Sequence, residues 1–60
     1  MTIKIKRINN ETIHIRRRFH RYPFASYTGY TVQKAFRDYI RENFPGVDPE
    51  KVTVVYKGGK

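Results

Sequence analysis

Between Met1 and Ile15 the apolar residues fall on every second position, interrupted once by a polar turn. Met1, Ile3 and Ile5 alternate with Thr2, Lys4 and Lys6; beyond Asn9-Asn10-Glu11, Ile13 and Ile15 alternate with His14, Arg16 and Arg18. Successive side chains of a strand point to opposite faces, so a period of two marks a strand with one buried face. The pattern predicts a hairpin over residues 2–19, its first strand running Thr2 to Arg7 and its second Thr12 to Phe19. Asn tolerates positive φ and hydrogen-bonds its own backbone, which suits the turn. Ile8 breaks the alternation at the turn, and Arg17 falls on the isoleucine side, where the buried face is expected to end.

Residues 20–30 form a connection dense in aromatics: Tyr22, Phe24, Tyr27 and Tyr30, with Pro23 and Gly29 as punctuation. Most connections are shorter and less aromatic. The spacing then becomes helical over 31–44. Thr31 stands at the N-cap, Val32, Ala35, Phe36, Tyr39 and Ile40 form one stripe, and Pro45-Gly46 stops the run. Asp48-Pro49-Glu50 makes a turn, and residues 51–57 read as a third strand. The expected fold is one α+β domain over residues 1–60 in ββαβ order: a small, three-stranded, largely antiparallel sheet with the helix on one face.

These spacings resemble the ubiquitin-like β-grasp family. The similarity is carried by Met1-x-Ile3-x-Ile5-Lys6-x-Ile8, Thr12-Ile13-x-Ile15, the helix start Thr31-Val32, the turn Gly46-Val47-Asp48-Pro49, and Val54-Val55-Tyr56-Lys57-Gly58. It covers most of the chain outside residues 19–30. The aromatic connection is longer than in ubiquitin, and the fourth and fifth strands have no counterpart. In the full fold the last strand lies between the first and third. Here the third is expected to close against the first, in the antiparallel order 2-1-3, or to leave a slot for a second chain, hence a possible homodimer through an open edge. Gly58-Gly59 follows the third strand directly and precedes Lys60, unlike the free tail of conjugated members.

Charge sharpens the reading. The formal net charge is +8, and residues 1–24 carry seven basic groups against Glu11 alone, whereas residues 25–60 carry six against four carboxylates. A field so one-sided concentrates polyanions. The leading expectation is a non-enzymatic nucleic-acid-binding protein using the basic outer face of the hairpin. Lys4, Lys6, His14, Arg16 and Arg18 would contact phosphates, Arg7, Arg17 and Arg21 would extend the track, and Tyr22, Tyr27 and Tyr30 would stack unpaired bases. Phe19, Phe24, Phe36 and Tyr39 are assigned to the core. The alternative is a protein-interaction module, an adaptor or inhibitor. By the resemblance it would present Ile8 and Val55 beside Lys6, His14 and Lys57 to an acidic protein partner.

Catalysis finds no constellation. Ser26 is the only serine and lacks a His-Asp pair nearby in sequence, while Asp38 and Glu42 read as a solvated helix face. His14 and His20 have no carboxylate or cysteine company for a metal, and no cofactor motif is present. There are no cysteines, no apolar run long enough for a membrane, and no signal-peptide core, so a cytoplasmic, intracellular protein without membrane contact is expected.

Overall fold

The computed structural model describes residues 1–58. β1 (Thr2–Arg7) and β2 (Thr12–Arg17) form the hairpin, β3 (Phe24–Thr28) follows, α1 spans Val32–Asn43, a 3₁₀ turn covers Pro49–Lys51, and β4 is Thr53–Lys57. The strands make one mixed sheet in the order β3-β2-β1-β4. β1 and β2 are antiparallel with Ile5 opposite Ile15, β2 and β3 are antiparallel with Ile13 opposite Tyr27, and β4 runs parallel to β1 with Val55 beside Lys4. The fold is α+β, with one helix on a mixed sheet.

The hairpin folds as its sequence dictates. Asn9 Oδ1 accepts from the Glu11 and Thr12 N–H groups, the Asx geometry expected of the turn. Arg7 donates to the Asn9 and Asn10 carbonyls from the isoleucine side of the sheet. That side holds the core: Ile3, Ile5, Ile13, Ile15 and Tyr27 from the sheet against Ala35, Tyr39 and Ile40 from the helix. Full burial of each isoleucine side chain is worth roughly 1.5–3 kcal/mol. The helix begins where Thr31 Oγ1 accepts from Lys34 N–H, and it ends where Phe44 N–H bonds the Ile40 carbonyl.

Two features differ from the sequence reading. The sheet has four strands, not three, because Phe24–Thr28 pairs along β2. Alternation was present there, with Ala25 and Tyr27 inward and Phe24, Ser26 and Thr28 outward. Aromatic residues on both faces and the adjacent Pro23 hid it. The last strand does close against β1, but parallel and not antiparallel. β3, antiparallel to β2, runs in the direction of β1, and the helix that crosses the sheet returns the chain in the direction of the strand it left, so β4 lies parallel to β1.

Smaller differences concern the ends of elements. β2 stops at Arg17, and Phe19, at φ +67°, turns the chain away from the sheet and is 85% exposed instead of lying in the core. Pro49–Lys51 is a 3₁₀ turn, so the final strand starts at Thr53. Of the Gly58-Gly59-Lys60 end, Gly59 and Lys60 lie outside the described residues. Among the described residues no helix is long and apolar enough to cross a membrane.

Tyr39 ties the two layers together. Its ring is fully buried, and its hydroxyl donates to the Pro23 carbonyl at 2.6 Å, holding the helix to the start of β3. Burial raises the pKa of this phenol, while the nearby Arg17 charge lowers it, burial being the larger effect. Tyr39→Phe should therefore cost about 1–2 kcal/mol in urea unfolding, the range for leaving a partly buried acceptor without its partner.

Tyr27 has its pKa pushed up to about 12, first by burial and then by the carboxylates of Glu42 and Asp38. In the unfolded chain this phenol ionises near pH 10, so its contribution to stability is complete below pH 10 and is lost as pH rises toward 12. Alkaline unfolding followed by circular dichroism should thus be less steep over that interval in Tyr27→Phe than in the native chain.

Candidate nucleic-acid interface

The face of the sheet opposite the helix is built by the same alternation that builds the core. With the isoleucines turned inward, the registers set the remaining side chains in two rows across the strands. One row runs Phe24, Arg16, Lys4, Val55; the other runs Ser26, His14, Lys6, Lys57. Neighbouring strands are about 4.8 Å apart, so each row spans roughly 14 Å. Lys4 faces Arg16 directly, and Lys6 faces Lys57. Like charges in directly opposed positions destabilise a sheet.

Among the described residues no carboxylate lies in the strands that carry them. Glu11 sits in the hairpin turn, Asp38 and Glu42 on the helix, and Asp48 and Glu50 at the 3₁₀ turn. Asp38 is already engaged on the far side of the molecule, 2.9 Å from Arg41 and 3.9 Å from Lys34. The five side-chain carboxylates thus lie outside the strands that carry the cationic rows.

Phe24 stands at the end of one of these rows. Its ring is 48% exposed and packs edge-on against His14, with centroids 5.0 Å apart. Lys4, Lys6, His14, Arg16, Phe24 and Lys57 line a shallow depression of about 280 Å³. The arrangement supplies cations for phosphate oxygens and an aromatic surface for a planar ring between them.

The structure brings together Lys4, Lys6, His14 and Arg16, and adds Lys57, which the sequence had assigned to the protein-interaction alternative. Arg18, Arg21 and Tyr22 are exposed beyond the end of β2, in the segment that leads to β3. Arg16 reaches the same segment, donating to the Arg17 and His20 carbonyls, and the Arg18 guanidinium lies 4.8 Å from the centre of the exposed Phe19 ring. A second basic and aromatic cluster therefore adjoins the Phe24 end of the face.

Four expected residues lie elsewhere. Tyr27 is only 9% exposed and belongs to the core; it points inward because it pairs with Ile13. Tyr30 packs edge-on against Tyr27 and lies under the Lys34 ammonium at the helix start. Arg17 is on the helix side, its guanidinium 5.7 Å from the centre of the Phe44 ring. Arg7, by the same parity, is also on that side, donating to the Tyr56 hydroxyl at 3.4 Å. Of the protein-interaction pair, Val55 is on the outer face between Lys4 and the β4 edge, and Ile8 is exposed past the end of β1.

Sequence reasoning weighed Phe24 for stacking but favoured the core for it; the structure places it on the outer face. The signal that could have found it was parity: Phe24, Ser26 and Thr28 share one face if Tyr27 takes the other. Comparison of the chain with protein-family models, with curated proteins and with solved structures finds no match.

Proposed function

We propose that this chain is a non-enzymatic nucleic-acid-binding protein that holds single strands across the outer face of its sheet. One observation carries the reading: an exposed phenylalanine stands at one end of a row of cations, and among the described residues no carboxylate lies in the strands of that face. Cross-strand repulsion between Lys4 and Arg16, and between Lys6 and Lys57, is a cost to the free protein that a polyanion removes. Lys4, Lys6, Arg16 and Lys57 take phosphates, releasing counterions, and Phe24 stacks a base. An exposed aromatic beside a row of cations favours unpaired bases, since in a duplex the base faces are covered. Arg18, Arg21 and Tyr22 extend the path past the end of β2.

The hairpin, the crossing helix and the strand returning beside β1 also support a β-grasp-like reading of the fold, with β3 added outside the hairpin. That relation brings no activity with it. The protein-partner alternative rests on Val55, which is flanked by Lys4 and Lys57 on the same face. It predicts that Val55→Asp is the damaging change and that nucleic acid is not the ligand.

Fluorescence anisotropy of labelled single-stranded and duplex oligonucleotides decides between them. With four phosphate contacts, the logarithm of single-strand affinity should fall against the logarithm of salt with a slope of about −3. Lys6→Glu combined with Arg16→Glu should abolish binding while circular dichroism is unchanged. Weak binding to every form that vanishes at near-physiological salt would overturn the proposal.

Phe24→Ala separates stacking from charge. It should weaken single-strand binding by about 1–3 kcal/mol, the range for one stacked base, and leave the salt slope unchanged. Equal losses for single strands and duplex would remove the stacking role.

A further inference from the structure

β4 is unlike the other strands. All five of its residues are exposed, including Val54, Val55 and Tyr56, and none of them enters the core. The helix lies over β2 and leaves the inner face of β4 uncovered. β4 is also an edge of the sheet. Natural edges are protected by proline, inward charges, bulges or a covering segment. The other edge, β3, starts immediately after Pro23 and has Tyr27 buried beneath it. Within β4 only Lys57, at its end, is charged.

The backbone of this edge is also ready to pair. The Thr53 N–H donates to the Met1 carbonyl at 3.1 Å. Backbone groups alternate along a strand, so Thr53, Val55 and Lys57 address β1, while Val54 and Tyr56 turn N–H and C=O to the open side.

We infer that β4 is a self-association edge, paired antiparallel with β4 of a second copy about a two-fold axis at Val55. In this register Val54 and Tyr56 of opposite copies form the hydrogen-bonded pairs, each exchanging two backbone bonds. Their side chains meet on the helix side, where neither copy's helix covers them. Val55 meets its own counterpart on the outer face as a non-hydrogen-bonded pair, and Lys57 stands opposite Thr53, away from its own counterpart.

Charge favours this direction over a parallel one. The segment leading into β4 carries Asp48 and Glu50 against Lys51, and the strand closes on Lys57. Antiparallel pairing brings each basic end toward the partner's carboxylate-bearing end, whereas parallel pairing would align Lys57 with Lys57. Isologous contacts about a two-fold axis are the commonest way a small chain closes on itself. The two four-stranded sheets become continuous, with both outer faces on the same side. The inference is independent of the nucleic-acid reading, and its test contains no nucleic acid.

The test combines sedimentation equilibrium of the native chain at high micromolar concentration with single-cysteine variants of this cysteine-free protein. A non-hydrogen-bonded antiparallel pair has Cα atoms about 4.5 Å apart, inside the range a disulfide spans. The native chain should sediment at twice the chain mass. Under mild oxidation Val55→Cys should form a covalent dimer much faster than Ser26→Cys on the outer face of β3. Val55→Lys, which sets two ammonium groups at the axis, should sediment at the chain mass with an unchanged circular dichroism spectrum. A native chain that stays at the chain mass at every concentration overturns the inference. So does a dimer in which Ser26→Cys cross-links as fast as Val55→Cys.

Discussion

Everything in this small protein hangs on four isoleucines. Ile3, Ile5, Ile13 and Ile15 form the sheet side of the core, and Ala35, Tyr39 and Ile40 close it from the helix. A chain of 60 residues without cysteine has no disulfide to replace this contact. The same four residues fix the cationic face. In a strand, a slip of one residue exchanges the two faces, which here would drive Lys4, Lys6 and Arg16 under the helix. Burying such cations without partners costs far more than the slip could recover. Core and cationic surface are therefore two outcomes of one register.

The outer face is the counterpart of that constraint, and it is held at some cost. Lys4 with Arg16 and Lys6 with Lys57 are directly opposed like charges, and no carboxylate is interleaved among them. Elsewhere the chain does pair its charges: Asp38 lies between Lys34 and Arg41 on the helix. The acidic residues are thus available in the sequence but placed away from the sheet. This segregation, more than the total of +8, is what supports the proposed binding role over charge that merely keeps a protein in solution.

The two ends of the sheet differ in how the helix treats them. On the β3 side Tyr27 is buried, and the Tyr39 hydroxyl fastens the helix to Pro23, so the inner face is sealed. On the β4 side the inner face is open and apolar. A twelve-residue helix covers only part of a four-stranded sheet. Fastening it over β2 and β3 leaves β4 uncovered. The anchoring at one edge and the exposure at the other have a common cause.

Much of this was legible from residue order. The alternation in 1–15 determined β1, β2 and their inner and outer faces, and with them Lys4, Lys6, His14 and Arg16 as one surface. Thr31 and Pro45-Gly46 bounded the helix closely. These features depend on periodicity and local capping, which act over a few residues and are written in sequence. Tertiary structure decided the rest. Phe24–Thr28 is a strand only because β2 offers it an edge. That pairing sends Tyr27 inward and Phe24 outward, reversing their expected roles. The direction of β4, and so the place of Lys57 beside Lys6, followed from β3, which reverses the chain once more before the helix carries it across the sheet. Arg17 had the parity of the core and found Phe44 there, a residue far along the chain. Strand pairing joins distant segments through backbone groups that every residue carries, so side-chain order alone does not say which edges will meet.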